Sequence, residues 1–229
     1  MPEPLFDRAS EYEAMLNQGI GLSGESQQFF IEGRIKDLQS RLPSAPHRIL
    51  DFGCGTGQTC EYLSRAFPGA HIVGADLSAN AVVHAQKLYS ATRVQFVQLD
   101  SLNHFEPFDL CYINGVFHHV PPPERQSTLR TINSYLVPGS HLAIFENNPW
   151  NPGTRLVMRR IPFDRDAILL SFLEMRNLMR TVGCQVQDCR FLFYLPRPLA
   201  AFRFIEPWLA TVPLGAQYYI LARTPVFQR

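Results

Sequence analysis

Two hydrophobic rhythms divide the chain. Short runs of continuous or alternating apolar positions occur at RILDF (48–52), HIVGAD (71–76), VQFVQLD (94–100), FDLCYIN (108–114) and SHLAIFE (140–146), and each reads as a β-strand. Between them, apolar residues step by three and four over 59–67, 79–89 and 124–136, the spacing of one helix face. Strands that alternate with helices pair in parallel through right-handed crossovers. The pattern therefore predicts an α/β fold, a doubly wound, mainly parallel seven-stranded sheet with helices on both faces. Ahead of the first strand, SGESQQFFIEGRIKDLQSRL (23–42) sets Phe30 or Ile31, Ile35, Leu38 and Leu42 on one stripe, and Pro43 and Pro46 stop it. This gives two parts: an N-terminal helical lid segment over 1–43 and the main domain over 44–229.

The last third breaks the rhythm. Residues 147–163, NNPWNPGTRLVMRRIPF, are rich in proline and read as an insertion, a long connection folded over a strand edge. A helix is expected over 164–181, with Ile168, Phe172, Met175 and Met179 on one stripe and Gly183 as its stop. CQVQDCRFLFYL (184–195) and AQYYILAR (216–223) read as two strands. Their link, with an insertion near 196–213, lacks a full crossover, so an antiparallel excursion with a reversed last strand is expected. Within that link, PLAAFRFIEPWLA (198–210) is apolar enough for a greasy substrate or a membrane surface. Its helical spacing favours instead a seal on the core or a contact in a homodimer.

Composition narrows the class. A chain of 229 residues with 46% hydrophobic content can bury one sizeable core. A formal charge of +1, spread along the chain, gives none of the basic footprint expected of a nucleic-acid partner. The opening residues lack a basic-then-apolar leader and no window is apolar for the length of a transmembrane segment, so a cytoplasmic protein is expected. The five cysteines are scattered without a C-x-x-C pair; they read as buried or incidental thiols, and no metal is expected.

The chemistry is concentrated in ILDFGCGTG (49–57), three glycines within five positions directly behind the first strand. Such a turn sits at the carboxyl edge of the sheet, where ligands bind in open α/β proteins, and leads into a helix with unpaired N–H groups. A triphosphate loop would need a lysine after the last glycine, and Gln58 stands there. A dinucleotide loop would need G-x-G-x-x-G, and the spacing here is G-x-G-x-G. An acid at the end of the second strand, Asp76, suits any adenosine ribose, since one carboxylate accepts from both hydroxyls. Asp51 before the turn and Asp100 closing the third strand decide the matter. Gathered at one edge, these carboxylates would repel a pyrophosphate but attract a sulfonium and an ammonium.

On these residues the chain resembles the class I S-adenosylmethionine-dependent methyltransferases, over about 48–146, with the final pair of strands matching that family's reversed seventh strand. The resemblance implies that Asp51, Gly53, Cys54, Gly55 and Gly57 surround the methionine portion of S-adenosyl-L-methionine. It further implies Asp76 on the ribose hydroxyls, Leu77 beside the adenine, Asp100 with Ser101 at the adenine amino group, and Asn114 and Gly115 at the boundary of cofactor and acceptor. Each strand-end aspartate has a plainer role open to it, capping the helix that follows.

Methyl transfer needs an aligned acceptor and, for some acceptors, a base. His118 and His119, directly after the fourth strand, are the candidate catalytic residues, with structural packing beside the cofactor as the alternative. Substrate-binding candidates are Glu146, Asn147, Trp150 and Arg155 after the fifth strand, and Tyr12 and Arg34 from the lid segment. Arg34 could instead pair with the cofactor carboxylate. INGVF lacks the motif of adenine-N6 enzymes, and 116–121 lacks the acids of a metal-assisted catechol enzyme. A small-molecule acceptor remains, methylated on oxygen or nitrogen: a metabolite, sugar or secondary product. Two readings compete with it, a protein or RNA methyltransferase and a non-methylating protein that retains the pocket.

Overall fold

The computed structural model describes residues 19–89, 93–161 and 167–226. Its centre is a seven-stranded sheet of order β3-β2-β1-β4-β5-β7-β6. The strands are β1 (Arg48–Phe52), β2 (His71–Asp76), β3 (Val94–Gln98), β4 (Phe108–Asn114), β5 (Leu136–Asn147), β6 (Gln185–Leu192) and β7 (Gln217–Arg223). The first five pair in parallel, whereas β7 runs antiparallel to both β5 and β6, as the missing crossover predicts.

Alternation along the strands divides the interior into two cores. Leu50, Phe52, Val73, Cys111, Ile113, Leu142 and Ile144 point to one face; Ile49, Ile72, Leu110, Tyr112, Ala143 and Phe145 point to the other. Three helices cover the second face: α1 (Gln27–Gln39) through Ile31, Ile35 and Leu38, α2 (Gln58–Ala66) through Leu63, and α3 (Ala79–Leu88) through Val82 and Ala85. The first face is covered by α4 (Arg125–Ser134) and α6 (Phe172–Thr181), through Leu129, Ile132, Met175 and Met179. Between β5 and α6 lies the short helix α5 (Pro152–Met158).

Several boundaries differ from the sequence reading. Residues 164–166 lie outside the described residues, and 167–170 are not helical; α6 starts at Phe172. Ser171 caps it in a reciprocal box with Glu174, and Ile168 instead donates its N–H to the carbonyl of His118, 2.9 Å away. Strand β3 stops at Gln98, so Asp100 belongs to the 3-10 turn Leu99–His104. Strand β5 begins at Leu136, ahead of Pro138 and Gly139, because a register shift against β4 between Phe108 and Leu110 absorbs them. The insertion after β5 contains α5, capped by Asn151 with Pro152 in its first turn. Finally, Phe202, Phe204 and Trp208 do not seal the core: they are 56%, 66% and 75% exposed on a 3-10 segment (Arg197–Ile205) and the short α-helix after it (Glu206–Leu209).

Candidate active site

The cofactor-type loop is built by the end of β1 and the start of α2. Gly53 and Cys54 donate their N–H groups to the Ala75 carbonyl at 2.8 and 3.1 Å, which ties the loop to β2. The three loop glycines do different work. A Cβ on Gly53 would come within 2.4 Å of Val116 Cγ2, and one on Gly57 within 2.6 Å of the Phe96 ring, so these two are fixed by packing. At Gly55 a Cβ would meet nothing within 4 Å, although its φ of +54° still favours glycine. Gly55 is thus the loop's open face. Gly57 is the N-cap of α2 and supplies no side-chain cap, so the first N–H groups of the helix are open to a ligand.

Above this loop lies a cavity of about 540 Å³, enclosed by the loop, the ends of β4 and β5, α1, α5 and the segment after β6. Asp51, Gly53, Cys54, Gly55, Asn114, Gly115, His118, His119, Arg34 and Asn147 all line it. The sequence reading brought these ten positions together from distant parts of the chain. Gly57, at the start of α2, and Asp76, Leu77, Asp100 and Ser101, around the ends of β2 and β3, sit outside that lining. There Leu77 is 81% exposed, Asp100 is exposed, and Ser101 donates its hydroxyl to Asp100 at 3.2 Å. Asp76 accepts the Gly55 N–H at 2.8 Å and the Ser78 N–H at 2.9 Å. The remaining lone pairs of its oxygens can still receive two hydroxyls. In the ligand-free protein it therefore braces the loop.

Three polar groups set the character of the cavity floor. Asp51 is 2% exposed and accepts from the Cys60 thiol at 3.2 Å. Its burial pushes the carboxyl up to about 7; the Cys60 hydrogen bond opposes the shift, the charge of Asp76 adds to it and Arg34 counters it. Asn114 Oδ1 is buried without a hydrogen-bond partner among the described residues, an acceptor that a donor entering the cavity would satisfy. Arg34, 5% exposed on α1, donates to the Tyr112 hydroxyl at 2.9 Å and to Gln217 Oε1 at 3.0 Å. A guanidinium has five N–H donors, so this arginine keeps donors for an incoming carboxylate.

Beside them stands a buried histidine–carboxylate pair. His118 Nδ1 lies 2.6 Å from Glu146 Oε2, and Glu146 Oε1 accepts the Phe117 N–H at 2.7 Å. Both oxygens of Glu146 are thus engaged behind the cavity wall at 1% exposure, which turns this residue from a substrate contact into a holder of His118. In the tautomer that such a contact favours, Nδ1 donates to the carboxylate and Nε2 is the basic nitrogen. Among the other substrate candidates, Trp150 packs edge-on against Phe172 at 5.0 Å, and neither it nor the exposed Arg155 lines the cavity. Tyr12 lies outside the described residues.

Sequence reasoning missed the apolar half of the cavity. Phe29 and Phe30 of α1 meet Phe193 with ring centroids 5.7 and 4.8 Å apart, and Val157, Ile161 and Leu195 complete that wall. Phe193 takes φ +63°, the left-handed region, which turns its side chain out of the β6 alternation. No local pattern in CRFLFYLP announces that turn.

Comparison with known proteins bears on the family and the fold. A methyltransferase-domain family profile matches residues 50–142. The chain is 31% identical to a trans-aconitate 2-methyltransferase of Methylobacterium nodulans over 187 residues, 76% of this chain and 70% of the relative. It is 32% identical to a ubiquinone biosynthesis O-methyltransferase of Ralstonia nicotianae over 179 residues, 71% of this chain and 73% of the relative. Three further relatives match over shorter stretches, 25%, 42% and 50% of their own length. Among solved structures, human N-acetylserotonin methyltransferase in complex with S-adenosylmethionine shares the fold with a TM-score of 0.66 at 18% identity, covering 98% of this chain and 60% of that one. With a relative matched over most of both chains, and with the glycine loop and reversed strand in place, the chain belongs to the class I S-adenosylmethionine-dependent methyltransferases.

Proposed function

We propose that this enzyme methylates a heteroatom of a small acceptor seated in the cavity, with His118 as proton acceptor and Glu146 as the group that positions its ring. The observation that carries the proposal is the 2.6 Å contact between His118 Nδ1 and Glu146 on the cavity wall. The names of the relatives, one of them an O-methyltransferase, support a small-molecule acceptor and favour oxygen.

The residues present fit the cofactor. Gly55 and the uncapped start of α2 give room and N–H groups, Asp51 and the orphaned Asn114 oxygen suit an ammonium, Arg34 suits a carboxylate, and Asp76 suits the ribose. When bound, S-adenosylmethionine supplies an activated methyl group whose departure leaves a neutral thioether, so the one proton to be handled is the acceptor's own. His118 takes that proton on Nε2, and Glu146 stabilises the imidazolium that results. Such general-base assistance contributes typically 10²–10⁴-fold, as an order of magnitude.

His118→Gln and Glu146→Gln should therefore lower kcat by about 10²–10⁴-fold and by somewhat less, respectively, with the cofactor Kd unchanged in both. Single-turnover assays with calorimetry on the same preparations check this. Full turnover in both variants would leave alignment alone as the source of rate.

A further inference from the structure

We infer that the acceptor is a hydroxyl compound, uncharged at neutral pH, with an extended apolar body, and is not a polycarboxylate. This rests on the methyl-transfer reading and names its substrate class.

Two independent observations carry it. The first is the composition of the wall. Phe29, Phe30 and Phe193 form one cluster, faced by Leu156, Val157 and Ile161 from α5 and the residues after it. Among the described lining residues Arg34 is the sole lysine or arginine, and it is held by Tyr112 and Gln217. Its remaining donors are those that suit the cofactor carboxylate. The lining also carries two acids, Asp51 and Glu25, of which Glu25 is paired with Arg203 at 2.8 Å. Beyond Arg34, a molecule with several carboxylates would meet no lysine or arginine among the described lining residues, whereas an apolar body is favoured by the phenylalanine cluster and by Leu156, Val157 and Ile161.

The second observation is the base itself. A carboxylate acceptor is already ionised at neutral pH and has no proton to give. A hydroxyl has one, and the Glu146–His118 pair is arranged to take it. An ammonium acceptor would also carry a proton, but burying that charge against the Phe29, Phe30 and Phe193 wall costs more than burying a neutral hydroxyl there. Apolar walls and a positioned base thus select the same chemistry.

The test is equilibrium binding of 4-alkylphenols with side chains of increasing length, and of trans-aconitate, to the protein loaded with S-adenosylhomocysteine. Affinity for the phenols should rise by roughly fourfold per methylene over the first few carbons, and trans-aconitate should bind more weakly than the longer phenols. Leu156→Asn, at a half-exposed position whose change spares the fold, and Val157→Asn should flatten that dependence while leaving S-adenosylhomocysteine affinity and melting temperature in place. Affinity independent of chain length, or trans-aconitate bound more tightly than every phenol, overturns the inference and leaves methyl transfer standing. Failure to bind S-adenosylhomocysteine at all would remove the methyl-transfer reading, and the inference with it.

Discussion

Asp51 shows how much a single residue changes on folding. In the unfolded chain its carboxyl titrates near 3.8, whereas burial in the finished site moves it to about 7. Between those values the folded protein holds a proton that the unfolded chain has released, so through this group the ligand-free protein loses stability as pH rises across that window. A cation seated against Asp51 favours the ionised form and reverses the preference. Cofactor binding should accordingly tighten as pH rises through 7 and release a proton near neutrality. Calorimetry in buffers of different ionisation heat checks this, and Asp51→Asn should abolish the buffer dependence; a wild-type enthalpy identical in all buffers would show that no cation reaches Asp51. Asp76 acts differently, because it already holds Gly55. Replacing it with alanine should loosen the loop and weaken cofactor affinity by at least about tenfold, the loss of charged hydrogen bonds, as read by the same titration. The identity of both acids was legible from their places at strand ends. The bonds from Cys60 to Asp51 and from Gly55 to Asp76 were not, because they join residues whose proximity exists only once α2 and β2 have docked.

Among the elements, those shaped by their own periodicity were the legible ones. The five parallel strands and the helices between them follow alternation and steps of three and four, because each must bury one face against the sheet. Where tertiary bonds compete with local pattern, the pattern misled. Ile168 fits the stripe of α6, yet its backbone is bonded to the His118 carbonyl and to the Arg125 guanidinium, so the helix waits for Ser171. The sequence Ser171-Phe-Leu-Glu174 carries the true start. Pro152 and Gly153 similarly suggest a loop, although Asn151-Pro152 is a helix beginning. The glycine loop yields a paired prediction at this scale. Gly57→Ala forces a methyl into the Phe96 ring and Ala85 at positive φ, and should cost about 1–3 kcal/mol of stability. Gly55→Ala meets open space, so it should spare most of the stability and chiefly impair cofactor binding. Urea denaturation with ligand titration on both variants separates the two; equal losses of stability would contradict the division of labour.

Across the whole molecule, α1 behaves as a wall. Ile31, Ile35 and Leu38 are buried in the second core, Arg34 reaches β4 and β7, and Asp37 accepts from Arg190 at 3.1 Å and Tyr219 at 2.6 Å. A helix secured at so many points is part of the packed core. Arg34→Met would leave the Tyr112 hydroxyl and Gln217 without their shared donor and should cost about 1–3 kcal/mol of stability, together with weaker cofactor binding. Thermal and chemical denaturation check the first, calorimetry the second. The Arg34–Gln217 bond joins residues 183 positions apart, and Phe193 closes on Phe29 and Phe30 from a similar remove. A ribosome delivers the glycine loop and its aspartates long before Phe193 and Gln217. The glycine loop, Asp51, Asp76 and Arg34 all exist early in synthesis, whereas the Phe193 side of the chamber and the Gln217 amide that holds Arg34 arrive only with the last third of the chain.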